Sequence, residues 1–191
     1  DLTVGTVSGL VLLTVHNAAF LYTVASVPRP LSLTNVTPTP ATLTIPTGQS
    51  LTLVSSNFAA PVTNAGTLTL VSSTLTAPVA NDGLVVTHGG VTLSGGLTTG
   101  PGSTLRVEGI NTSGAGALTV TSGLTNTALI ELTDVAAGSL LSLDGVAVAT
   151  ERIVRSGIGA TKFHVRVSGM HPERPHHHDH PNRVYADIRR L

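Results

Sequence analysis

SLTLVSSNFAAPVTNAG at residues 50–66 is followed at once by TLTLVSSTLTAPVANDG at residues 67–83. Eleven of the seventeen positions are identical, and Ser50/Thr67, Phe58/Leu75 and Thr63/Ala80 change little in character. A tandem copy at a fixed period means one supersecondary unit stacked on its twin. Each copy reads as a short strand of alternating apolar residues, a polar bend, a second short stretch, and then Asn-x-Gly. Such a unit is too short for an independent domain, but it fits one coil of a β-solenoid.

Working outward, the composition agrees. The chain has 191 residues, 41% of them apolar, yet only 3% aromatic and none Trp. Its core must be built from Val, Leu, Ile and Ala, which stack in regular layers. Twenty-nine Thr and twenty Gly complete a β composition, because β-branched side chains fit a pleated surface. Gly and Asn are expected to supply positive φ at the bends. The absence of Cys excludes disulfides and thiolate metal sites. The expected fold is all-β, a β-solenoid of the right-handed parallel β-helix type, with an antiparallel β-sandwich as the alternative.

The formal net charge of zero hides an asymmetry. Between residues 2 and 81 the only charged side chain is Arg29. Residues 1–150 hold two basic against six acidic groups, a balance of −4; residues 151–191 hold eight against four, a balance of +4, with six of the eight His. So little charge protects poorly against self-association, which points to an assembled or cell-attached protein.

Residues 2–28 carry no charge, and residues 9–27 are long enough to cross a bilayer. A membrane anchor through 9–27 and a pilin-like helix compete there with strands at 2–7, 10–15 and 19–27, and the β-rich composition favours the strands. The opening at Asp1 reads as a processed or excised N-terminus. Five prolines in 28–48 suit a connection or an irregular first coil. Strand cores follow at 51–54, 68–71, 84–87, 104–107, 118–121, 129–132 and 140–143, at intervals that begin near 17 and fall to 11–13. Residues 146–154 and 162–167 also read as strands. The expected organisation is an apolar segment and Pro-rich connection at 1–48, solenoid repeats at 49–168, and a His-rich basic tail at 169–191.

The string NAGTLTL…NDGLVVTHGGVTLSGGLTTGPGSTLRVEG, within residues 64–109, resembles repeats of bacterial autotransporter passengers and filamentous-haemagglutinin-like adhesins. The resemblance covers about residues 50–145. It implies a right-handed parallel β-helix whose corners are turned by Asn and Gly, and a secreted, surface-exposed structural or adhesive role. The drifting coil length departs from it.

Few constellations could carry chemistry. His176, His177, His178, Asp179 and His180, with His171 nearby, form a metal-like tract; dense imidazoles bind divalent transition metals, and the flanking prolines suit an exposed tail. His16 and His88 stand alone. A sugar-cleaving solenoid needs grouped carboxylates; here Arg106 and Glu108 project on one face as a surface ion pair, and Glu131, Asp134 and Asp144 are isolated. No phosphate-binding loop, nucleophile elbow or dinucleotide fingerprint is present. Thr-x-Thr pairs at 42/44, 67/69, 74/76, 119/121 and 125/127 suggest ordered water, but the register breaks at Leu84-Val-Val86. Asn35-Val-Thr37 and Asn111-Thr-Ser113 fit the glycosylation pattern, which chance supplies in so Ser/Thr-rich a chain. Arg183, Arg189, Arg190 and Tyr185 are too diluted by acids for a nucleic-acid site.

These features point to a non-catalytic extracellular or cell-surface module of microbial origin, adhesive or structural, displaying a Thr/Ser/Asn-rich face to a glycan, a host-surface receptor or a neighbouring copy. The alternative is a self-assembling filament or sheath subunit, and a phage tail-spike or fibre segment ranks third. A homo-oligomer assembled through residues 1–50 is expected, with no cofactor and no nucleic-acid partner.

Overall fold

The computed structural model describes the backbone of residues 2–3, 12–17, 20–21, 26–36, 41–135, 137–143, 146–155 and 158–167, and side chains for 12–17, 26–36, 41–135 and 137–143. The described residues form strands and turns with no helix, and none is part of a helix long and apolar enough to cross a membrane. The chain enters through β1 (Leu2–Thr3), β2 (Leu13–His16), β3 (Phe20–Leu21), β4 (Leu31–Thr34) and β5 (Leu43–Ile45). The first twin coil supplies β6 (Ser50–Val54), β7 (Asn57–Phe58) and β8 (Val62–Asn64), and the second β9 (Thr67–Val71), β10 (Thr74–Leu75) and β11 (Val79–Asn81). The next coils give β12 (Leu84–His88), β13 (Gly90–Leu93) and β14 (Leu97–Thr99), then β15 (Thr104–Gly109), β16 (Gly116–Val120) and β17 (Leu124–Asn126). β18 (Leu129–Asp134) and β19 (Ser139–Leu143) complete the winding, and β20 (Val146–Arg155) and β21 (Ile158–Val167) form a hairpin.

β1 and β3 form a two-stranded parallel pair, and the strands of successive coils pair in parallel into three larger sheets. A long sheet runs β2-β4-β6-β9-β12-β15-β18, a five-stranded sheet β5-β8-β11-β14-β17, and a third sheet β7-β10-β13-β16-β19-β20-β21. This is a β-solenoid of six turns along the long sheet; the parallel pairing excludes the antiparallel sandwich. The coils begin before residue 49, since β2, β4 and β5 are already in the sheets. The parallel winding stops at β19, and the hairpin pairs antiparallel.

Alternation explains the core. Along the long sheet, the inward columns are Leu13–Leu31–Leu51–Leu68–Val85–Leu105–Ile130 and Val15–Leu33–Leu53–Leu70–Thr87–Val107–Leu132. From Leu31 to Leu105 and from Val15 to Val107 these side chains are buried. Each fully buried Leu contributes about 1.5–3 kcal/mol of transfer free energy. These two columns hold no aromatic; Phe58, stacked on Leu75 in the third sheet, is the aromatic of the buried core.

The irregular period is resolved by the corners. Leu13, Leu31, Leu51, Leu68, Val85, Leu105 and Ile130 are consecutive neighbours, so the coil lengths vary, and the last, from Leu105 to Ile130, is the longest. In that coil, residues 110–115 loop out between β15 and β16, and the strands keep register. The 11–13 intervals legible in the sequence arise because β16 and β19 belong to a different sheet from β15 and β18.

Gly and Asn supply positive φ at the bends as expected, with Ser beside them, though the Asn of Asn-x-Gly does not. After each of the first five long-sheet strands stands a left-handed residue: Asn17, Asn35, Ser55, Ser72 and Gly89, with φ of 49°, 52°, 47°, 46° and 62°. In the twins that residue is the first Ser of Ser-Ser. The second Ser is buried: Ser56 Oγ donates to Val54 O at 2.8 Å and accepts from Val36 N at 3.2 Å, while Ser73 Oγ donates to Val71 O at 2.9 Å and accepts from Ser56 N at 3.1 Å. Asn64 and Asn81 point inward and bracket the opposite corner, with Asn64 Nδ2 donating to Asn81 Oδ1 at 2.7 Å and Asn81 Nδ2 to Thr104 O at 3.2 Å. Gly83 is required by contact rather than by φ: a Cβ there would sit 2.3 Å from Gly66 O in the coil below.

Candidate functional site

Because inner positions are buried, and their polar groups such as Asn64, Asn81 and Ser73 bond within the stack, the outer columns are what this chain presents. The five-stranded sheet presents Thr44–Thr63–Ala80–Thr98–Thr125, in register from strand to strand and all exposed. Parallel strands lie about 4.8 Å apart, so these side chains form a ladder of that spacing. The third sheet presents Asn57–Thr74–Thr92–Thr119–Ser142, and the long sheet Thr14–Ser32–Thr52–Thr69–Val86–Arg106–Glu131. An open recess of about 260 Å3 borders the five-stranded face, lined by Pro78, Gly96, Thr98, Ser122, Gly123 and Thr125 among others. These faces offer hydroxyls, amides and methyl groups at fixed intervals, with scarcely any charge. They can take hydrogen bonds and apolar contacts from a flat, repetitive partner.

The Thr-x-Thr idea meets the expected interruption, since Thr67 and Thr69 are followed in register by Leu84 and Val86.

The charged residues gather on the later coils of the long sheet. Arg106 Nε donates to Glu131 Oε2 at 2.7 Å across one register step. His88 Nδ1 lies 3.3 Å from the backbone oxygen of Glu108 and 3.7 Å from its Oε2. Arg106 and Glu108 therefore do not form the ion pair read from their spacing; each has its partner on an adjacent coil. Parallel stacking places register neighbours closer than residues i and i+2 of one strand, which are about 6.6 Å apart along the chain. With about a third of each side chain exposed, the Arg106–Glu131 pair is a surface contact worth about 0–1 kcal/mol.

Arg29, the lone charged side chain between Asp1 and Asp82, is 5% exposed, so it does not guard the surface as its isolation in the sequence suggests. Its Nε has no hydrogen-bond partner among the described residues. His16 ends β2 exposed. No group of three or more His, Asp or Glu among the described residues is placed to hold a metal. The tract His171, His176, His177, His178, Asp179 and His180 lies outside the described residues, as do Asp144, Arg183, Tyr185, Arg189 and Arg190. Sequence reading missed the inward Asn and Ser ladders; their signal was the identical Ser-Ser and Asn-x-Gly in both twins.

No family model matches this chain, and neither a curated protein nor a solved structure matches it significantly.

Proposed function

We propose that this protein is a non-catalytic display module of a microbial surface, extracellular, in which a stiff stack of coils holds a Thr-rich face toward a repetitive partner such as a glycan. The observation that carries this reading is the exposed ladder Thr44–Thr63–Ala80–Thr98–Thr125, uncharged and held in register by buried Leu and Val beneath it. The rhythm shared with autotransporter and haemagglutinin-like repeats supports the same role. A rigid ladder loses little conformational entropy on binding, which favours weak contacts repeated many times. Thr63→Lys with Thr98→Lys tests it: adsorption to arrayed surface glycans is expected to fall at least tenfold while the melting transition stays within a few degrees. Unchanged adsorption would reject this face.

A second reading, assembly of copies through residues 1–50, is favoured by the N-terminal surface. Leu12 is 57% exposed beside β2, and with Arg29 buried the described side chains before Asp82 present no surface charge. Because β2, β4 and β5 are structural, deleting residues 1–48 would bare a fresh coil edge. Leu12→Lys with Thr14→Lys is the cleaner test, and loss of association in light scattering is the expected result.

A further inference from the structure

A solenoid end is a set of unpaired strand edges, and an open parallel edge invites another strand. The C-terminal end of this one is built unlike the rest. The long and five-stranded sheets end at β18 and β17 among the described residues, whereas the third sheet continues past β19 by two antiparallel strands. β20 and β21 have ten residues each, against at most six in any coil strand.

The register shows where the excess goes. β20 pairs with β19 only from Leu143↔Val146 to Leu140↔Ala149. Residues 151–155 run past the start of β19, paired with β21 from Glu151↔Lys162 to Arg155↔Ile158. That direction leads back over the corner toward the long sheet, and β20 comes within 8 Å of β18. Alternation adds a second observation. Val146 and Val148 continue the register of Leu143 and Leu141, and on β21 they pair with Val167 and Val165; Leu141 is 2% exposed in the core. The opposite register face reads Ala147/Arg166, Ala149/His164 and Glu151/Lys162. Beside β19 one side of the hairpin thus carries the pattern of the interior and the other that of a surface; in the overhang Arg152 falls on the first side, and Ile153/Ala160 and Arg155/Ile158 on the second.

We propose that β20 and β21 are a cap that closes the C-terminal end of the stack and keeps a second copy of this chain from adding strands there. Three properties make it a cap. Its edge strand β21 carries Lys162, His164 and Arg166, and charge along an edge strand discourages a further strand. Its two extra levels on one sheet destroy the flat, three-edged end that a coil needs. Its overhang leads toward β18, and β20 comes within 8 Å of that strand. The occupant that the cap excludes is a second copy, because an uncovered end repeats the edge spacing and apolar columns of the chain's own coils. The proposal does not rest on the display reading.

The test uses the full chain. β20 is a central strand between β19 and β21, so Val148→Pro removes a ladder hydrogen bond or clashes with a neighbour. It is made in the Leu12→Lys/Thr14→Lys background, so that association at the N-terminal end is separated from association at the capped end. Hydrogen exchange is expected to show protection lost over 146–167 and kept over 51–120. Sedimentation is expected to become concentration-dependent, with at least a doubling of mass. Hairpin amides exposed with sedimentation unchanged would overturn the cap. If coil protection is lost as well, Leu140→Cys with Ala149→Cys gives the second measurement, since these positions are directly opposed. Oxidised, the pair locks the hairpin to β19, and association on heating is expected to slow several-fold relative to the reduced form. Equal rates in the two redox states would overturn the proposal.

Discussion

The twin coils at 50–83 and the coils that follow them at 84–128 share every strand position and differ at almost every corner. In the twins, Ser-Ser and Asn-x-Gly turn corners of minimal length, their side chains bonded inward. In the later coils, Gly89, the 100–103 turn and the 110–115 loop lengthen the corners, and Arg106 and Glu108 bring charge to β15. The comparison teaches that the strands carry the fold and the corners carry the variation. A strand must match its neighbours above and below, whereas a corner has only to return the chain to register.

An insertion separates the two most sharply. One Ala placed between Leu68 and Thr69 of β9 turns the following inward residue of that strand, Leu70, outward, and a loss of several kcal/mol or of the cooperative folded state is the expected outcome by circular dichroism in urea. The same Ala placed in the 110–115 loop is expected to change stability by under about 1 kcal/mol. An equal effect at both places would break the comparison.

Leu70→Ala removes a fully buried side chain and is expected to cost about 2–5 kcal/mol. Leu129→Ala, at a position 57% exposed, is expected to stay within about 0.5 kcal/mol. Both values come from denaturant midpoints at constant slope.

The Asn brackets sharpen the corner half of the argument. Asn81 is 1% exposed, and its amide serves Gly83 and Thr104 as well as Asn64. Its equivalent Asn126 is exposed and bonds to Ala128. Asn81→Ala is expected to cost about 2–3 kcal/mol, because it strands buried backbone groups, and Asn126→Ala less than about 1 kcal/mol. Thermal unfolding of the two variants reads the difference. Smallest is Ser72→Gly, where φ of 46° suits Gly better than Ser. Relief of strain and the added freedom of the unfolded chain nearly cancel, leaving a change within about 1 kcal/mol. A loss well beyond that would mean that the Ser72 side chain, not its backbone, holds the corner.

How much was legible follows from which interactions are local. The stacking of one coil on its twin, the all-β character and the alternating core of β6 and β9 were written in eleven repeated positions. The strands β7, β8, β10 and β11 were not, since two or three residues are too short to show a period. The pairing of Arg106 with Glu131 was hidden too, because it depends on a register that is set across the longest coil, through a loop of unpatterned sequence. Thr98 and Thr125 could be seen as Thr, but their alignment with Thr44 and Thr63 could not.

By itself the sequence determined that a repeated strand unit stacks on its twin: alternation at period two, repeated at a near-fixed interval and almost without aromatics, buries its apolar side against like neighbours in a solenoid or a sandwich. Only the tertiary structure decided which residues meet across coils, that Asn64 and Asn81 face inward, that Arg29 is buried, and that the winding ends in an antiparallel hairpin. Those outcomes depend on what lies one coil above and one below, a neighbour about 4.8 Å away in space and a whole coil away along the chain.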